Sequence, residues 1–104
     1  MAAVVTAAPT AKGDTLYIGV YVYNTSQVPT NADSTPTFTA YAGADLAAGS
    51  NSISSFTVTA ITGQTGGYVI SKATSSFDRG TYHGILAYAI SSASRREMIE
   101  FVIA

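Results

Sequence analysis

The sequence has no cysteine, no tryptophan and one histidine, and only 11% of its residues are charged, against roughly 25% in an average soluble domain. Without cysteine there is no disulfide scaffold, no thiolate metal site and no cysteine nucleophile. Five Lys+Arg against six Asp+Glu leave a formal net charge of −1. That balance speaks against a nucleic-acid partner, which calls for a basic stripe to neutralise phosphates. No apolar run approaches the roughly 18–20 residues of a membrane-spanning helix, so no membrane partner is expected. The opening M-A-A-V-V-T-A-A-P lacks the basic segment of a secretory signal. What is abundant is small and uncharged: 47% of the 104 residues are apolar and 26 are Ser or Thr. The length fits one domain with one core.

Residues 1–12 form a small-residue arm, and residues 13–104 carry the strand signals. Chain ends of such composition fray unless something holds them, so the arm either pairs as a first strand or is pinned by a neighbouring molecule. Residues 14–24 alternate: Leu16, Ile18, Val20 and Val22 fall on one face, Tyr17, Gly19, Tyr21 and Tyr23 on the other. A period of two separates faces by 180° per residue and marks a strand. Residues 25–36 hold two prolines together with Asn31 and Asp33, a loop composition. Residues 37–42 alternate with Phe38 and Ala40 inward. Residues 43–52 are loop with room for a helical turn, and Phe56, Val58 and Ala60 suggest the next inner face. T-G-Q-T-G-G at 62–67 is a turn in which glycine supplies positive φ. Residues 68–72 follow as a short strand. Tyr82, Gly84, Leu86, Tyr88 and Ile90 line one face of a strand over 81–90. After a turn at 91–94, Ile99, Phe101 and Ile103 point inward, and Glu97 breaks that row, placing strand entry near Met98. The pattern predicts an all-β antiparallel sandwich or barrel of six strands, seven if the arm pairs. There is no room for the crossover helices of a parallel sheet.

Asp78-Arg79-Gly80-Thr81-Tyr82-His83-Gly84 reads D-x-G-x-Y-x-G. It resembles the D-x-G-x-Y-x-C stretch of immunoglobulin domains, with Gly84 in place of the disulfide cysteine. The resemblance implies a single immunoglobulin-like antiparallel β-sandwich of about seven strands. It also implies a structural tyrosine corner, in which Asp78 and Gly80 shape the turn and the Tyr82 hydroxyl bonds backbone upstream. The missing Cys pair and core Trp are departures. T-P-T-F-T-A-Y at 35–41, T-G-G-Y at 65–68 and F-x-x-G-x-Y at 77–82, after Gly13-Asp14, are further similar to small immunoglobulin-like proteins of tailed-phage virions. That likeness implies a head or tail structural role without catalysis.

Chemistry-bearing residues are sparse. His83 has no G-x-S-x-G nucleophile elbow to serve, and as an outward residue it reads as a surface or interface histidine. The six acids show no D-x-D spacing or EF-hand loop. Convergence of distant loops on calcium is the minor alternative, and Asp33 and Asp78 read as turn formers accepting local backbone N–H bonds. Gly63–Gly67 has no basic neighbour and opens no helix, unlike a phosphate cradle. No cofactor, metal or catalytic residue is assigned. Arg95 and Arg96 point to opposite faces at a strand start, meeting either a partner or cross-strand acids. The stripe of Tyr17, Tyr21 and Tyr23 suits a protein interface, cross-strand packing or a glycan platform. Met1, Val4, Val5, Tyr17, Tyr21, Tyr23, Arg95 and Arg96 are the candidate interface residues. The expectation is a non-enzymatic capsid decoration (cement) protein on the virion exterior. It would bridge subunits of the major capsid protein and form homo-oligomers, with a trimer as one option. A tail- or fibre-associated host-surface module and a carbohydrate-binding module are the alternatives.

Overall fold

The computed structural model describes residues 2–6 and 9–104, with side chains from residue 9 onward. Strands β1 (Ala2–Thr6), β2 (Thr15–Val22), β3 (Thr37–Ala42), β4 (Thr57–Ala60), β5 (Gly67–Ala73), β6 (Gly80–Ile90) and β7 (Ala93–Ile103) are joined by loops and by one helical turn, α1 (Asp45–Ala48). They form two antiparallel sheets, in the orders β1-β2-β5-β4 and β3-β6-β7. The protein is all-β.

One core lies between the sheets. β2 contributes Leu16, Ile18, Val20 and Val22, all fully buried, opposite a ring-rich set from β3, β6 and β7: Phe38, Tyr82, Tyr88 and Phe101. The Tyr82 and Phe101 rings stack 5.3 Å apart, and Phe56 meets Phe38 edge-on at 4.9 Å. Such geometries add about 0.5–1.5 kcal/mol per pair beyond burial. Gly84 makes this packing possible. A Cβ there would overlap the Phe38 ring, so the position that the resemblance compares with a cysteine is filled by a neighbouring aromatic.

Five expectations are corrected. The turn between β6 and β7 is not 91–94 but the two residues Ser91 and Ser92, both left-handed at φ 51° and 66°. β7 therefore starts at Ala93, and Glu97 does not break the inner row. It sits on the inward side at the margin of the core, where its Oε1 accepts the Tyr88 hydroxyl at 3.3 Å. Asp33 is not a local turn former: its two carboxylate oxygens accept the N–H groups of Ser91 and Ser92 at 3.0 and 2.8 Å. Those bonds hold the tight turn from 58 residues away in sequence. Ala60 is exposed rather than part of the inner face, because β4 is a short edge strand reaching the core only through Val58 and the preceding Phe56. Tyr23 lies beyond the end of β2 and bridges Pro29 instead.

The N-terminal segment is divided between the sheets. β1 pairs antiparallel with β2, with an irregularity between Val4 and Thr6. Farther along, the Thr10 N–H donates to the Val102 carbonyl and the Ala104 N–H to the Thr10 carbonyl, at 3.0 and 2.8 Å, parallel to β7. Thr74 fastens the next turn. Fully buried, its hydroxyl accepts the Gly13 N–H at 3.0 Å and donates to the Asp14 carbonyl.

Candidate interaction surface

Alternation turns each sheet into an inner row and an outer row, and the outer rows hold three of the candidate residues, Tyr17, Tyr21 and Arg96. On the first sheet, register aligns Tyr17 with Ser71 and Thr57, Gly19 with Val69 and Thr59, and Tyr21 with Gly67. No charged side chain occurs in these rows. Tyr17 is 63% exposed. Tyr21 is half-buried, and its hydroxyl donates to Gln64 Oε1 at 3.1 Å. The two tyrosines therefore share one uncharged, hydroxyl-rich face, whereas Tyr23 falls at its end.

On the second sheet, the outer rows are Thr37-Ala87-Arg96, Thr39-Ile85-Met98 and Tyr41-His83-Glu100. Met98 is 62% exposed, and Ile85 and Tyr41 are half-buried beside it. His83 Nδ1 lies 3.9 Å from Glu100 Oε2. The strand pattern marked Tyr17 and Tyr21 but not this apolar centre. Met98 and Ile85 lie on neighbouring strands, and only the register of β6 on β7 brings them together. Their outward positions in two adjacent alternating segments were the available signal.

Arg95 and Arg96 separate as their adjacency requires. Arg96 is exposed on the outer face, while Arg95 is half-buried on the inward side opposite Tyr88. The Tyr88 phenol is pushed up to about 12, first by burial and then by the charge and hydrogen bond of Glu97. The Arg95 charge pulls the other way. Met1 and the side chains of Val4 and Val5 lie outside the described residues. The backbone of Val4 is paired with Val20.

At the opposite end of the sandwich, the Tyr82 hydroxyl donates to the Asp78 carbonyl at 2.7 Å. Gly80 opens β6 at φ 147°, a conformation that L side chains rarely adopt. Burial, and secondarily the Asp78 charge, raises the Tyr82 phenol, and its bond to the Asp78 backbone acts against them. Beside this corner lies an open cleft of about 340 Å³ whose polar lining includes Asp45, Asn51, Lys72 and Asp78. The Lys72 Nζ lies 5.4 Å from the centre of the Phe56 ring and donates to the Ser55 carbonyl at 3.5 Å. Among the described residues no three His, Asp or Glu side chains group as a metal ion requires. No described helix is long and apolar enough to cross a membrane. Comparison of the chain with protein-family models and with curated proteins gave no match.

Proposed function

We propose that the chain is an immunoglobulin-like sandwich serving as a non-enzymatic structural component of a virion. In this reading it is a capsid decoration protein that lies on the shell exterior and bridges subunits of the major capsid protein. Two features support the fold part of the reading. The strand order β1-β2-β5-β4 against β3-β6-β7 has the arrangement of seven-stranded immunoglobulin constant-type domains. The Tyr82–Asp78 bond has the form of that fold's tyrosine corner.

The observation that carries the functional part is the pair of outer faces. A bridging protein needs at least two separate contact surfaces. Here an uncharged face bearing Tyr17 and Tyr21 and a second face centred on Ile85 and Met98 belong to opposite sheets. Tyrosine offers large contact area at low entropy cost. Many weak copies on one shell add through multivalency, so neither face has to bind tightly. The N-terminal segment has a different role from a strand lent to a neighbour, because its backbone is already bonded to β2 and β7 within the chain.

Quantitative mass spectrometry of purified particles from the source tests the reading, as copies of this chain per major shell subunit. A ratio near one, or a simple fraction of it, is expected. A few copies per particle would move the chain to the tail, and its absence would overturn the virion assignment. In that last case polysaccharide titration of the wild type against Tyr21→Ala tests the glycan alternative, which the uncharged hydroxyl-rich face favours.

A further inference from the structure

The outer face of β3, β6 and β7 carries its opposite charges symmetrically about an apolar centre. Thr39, Ile85 and Met98 form the middle row. Arg96 lies two residues to one side of Met98 on β7 and Glu100 two residues to the other. Arg96 is aligned with small residues, Thr37 and Ala87, and Glu100 with Tyr41 and His83. A shallow depression of about 220 Å³ runs beside the centre, lined by Thr39, Tyr41, Ile85 and Arg96 among others.

We propose that this face pairs with the same face of a second copy of the chain, about a twofold axis running across the strands through the Thr39-Ile85-Met98 row. Turning one copy about that axis keeps each strand over its counterpart and reverses its direction. Met98 and Ile85 then meet their own equivalents, and Arg96 of each copy faces Glu100 of the other. Packed sheets lie about 10 Å apart, a gap that an extended arginine and an extended glutamate span together. A twofold axis along the strands would instead lay β7 over β3, setting Arg96 over Thr37 and Glu100 over Tyr41, so that neither charge meets its opposite. The charge order therefore selects the antiparallel, self-complementary arrangement of an isologous interface. It also selects a second copy as occupant, because a partner patch of one sign would meet repulsion at one end.

Three strands about 4.8 Å apart, paired over the length of β3, make a footprint of a few hundred Å² per copy. That is below the roughly 800 Å² per partner of a standard interface. Pairing is accordingly weak and concentration-dependent in free solution, and stronger where copies are held close together. It gives to a second copy the Ile85–Met98 face that the virion reading counts as a shell contact, leaving the two Tyr17–Tyr21 faces of the pair to do the bridging, and the pure chain is enough to test the pairing itself.

Sedimentation equilibrium of the full chain from about 10 μM to about 1 mM is the test. The weight-average mass of the wild type is expected to climb from that of one chain toward that of two. Arg96→Glu alone and Glu100→Arg alone each put like charges at both ends of the pair, so each is expected to stay monomeric across the range. An equimolar mixture of the two variants is expected to associate again, because every charged end then meets its opposite. Both positions are exposed, and thermal melts matching the wild type confirm that neither variant has lost its fold. A wild type that remains monomeric at 1 mM overturns the proposal. So do single variants that associate as the wild type does, and so does a mixture that fails to associate.

Discussion

The two sheets put most of their aromatic rings on opposite sides. In β2 the rings of Tyr17 and Tyr21 point outward, and the inward row of Leu16, Ile18, Val20 and Val22 is aliphatic. In β6 and β7 the rings of Tyr82, Tyr88 and Phe101 point inward, and the outward rows are small or charged, apart from His83, Ile85, Met98 and Val102. The same period of two underlies both. Alternation sets the direction of each tyrosine, and each inward one finds a partner for its hydroxyl at the edge of the core. Tyr82 donates to the Asp78 carbonyl, Tyr88 to Glu97, and the inward Tyr68 of β5 accepts the Ala32 N–H at 3.0 Å. A buried strand tyrosine is thus tolerated where the chain brings a polar group to the edge of the core, whereas outward Tyr21 satisfies its hydroxyl with Gln64 on the surface.

The largest expected effect is on the ring-packed side. Gly84→Ala drives a methyl group into the Phe38 ring and should lower the unfolding free energy by about 1–3 kcal/mol, read from urea titration. Combining it with Phe38→Leu should recover part of the loss, because the smaller side chain vacates the space. Full loss in the double variant would argue that backbone strain, not the ring, sets the cost.

Alkaline pH probes the same side through Tyr88. Its folded value of about 12 lies above the ordinary 10.0, so the neutral phenol is favoured by the fold. The associated stability is fully present below pH 10 and is lost as pH rises from 10 toward 12, by about 2–3 kcal/mol. Tyr82, also raised, adds a loss of the same sign. Denaturant midpoints measured from pH 9 to pH 12 should fall, and Tyr88→Phe should flatten most of that decline.

Tyr82→Phe keeps the ring stacked on Phe101 and removes only the hydroxyl bond to Asp78. A loss of about 1 kcal/mol is expected, visible as a drop of several degrees in Tm for a domain of this size. The smallest effect on stability belongs to the other sheet. Tyr17→Ala, at a ring 63% exposed, should leave the unfolding free energy within about 0.5 kcal/mol while weakening attachment to particles in a co-sedimentation assay. A large stability loss there would mean that Tyr17 is a packing residue, and the contrast between the sheets would fail.

Much of the fold was legible because burial imposes alternation on every strand. The inward rows of β2, β3, β6 and the end of β7 follow directly from Leu16–Val22, Phe38–Ala40, Tyr82–Ile90 and Ile99–Ile103. The errors at Asp33 and Glu97 share one cause. Asp33 reads as a local turn former, yet its partners Ser91 and Ser92 are 58 and 59 residues away. Glu97 reads as a strand breaker because its own sequence neighbourhood does not contain Tyr88, the hydroxyl that makes its inward position tolerable. The buried Thr74, which ties the turn at residues 13–14 to the end of β5, has no sequence signature at all.

Residue order by itself determined the all-β class, the inward and outward rows of the main strands and the low surface charge, because these depend on local periodicity and composition. Tertiary structure decided the rest. Antiparallel register, a relation between distant segments, aligned Arg96 with Ala87, Met98 with Ile85 and Glu100 with His83 and Tyr41 on one face. It also gathered Tyr17 and Tyr21 with the hydroxyls of β5 and β4 on the other. Strand pairing fixes which side chains become neighbours, and a surface is defined by its neighbours.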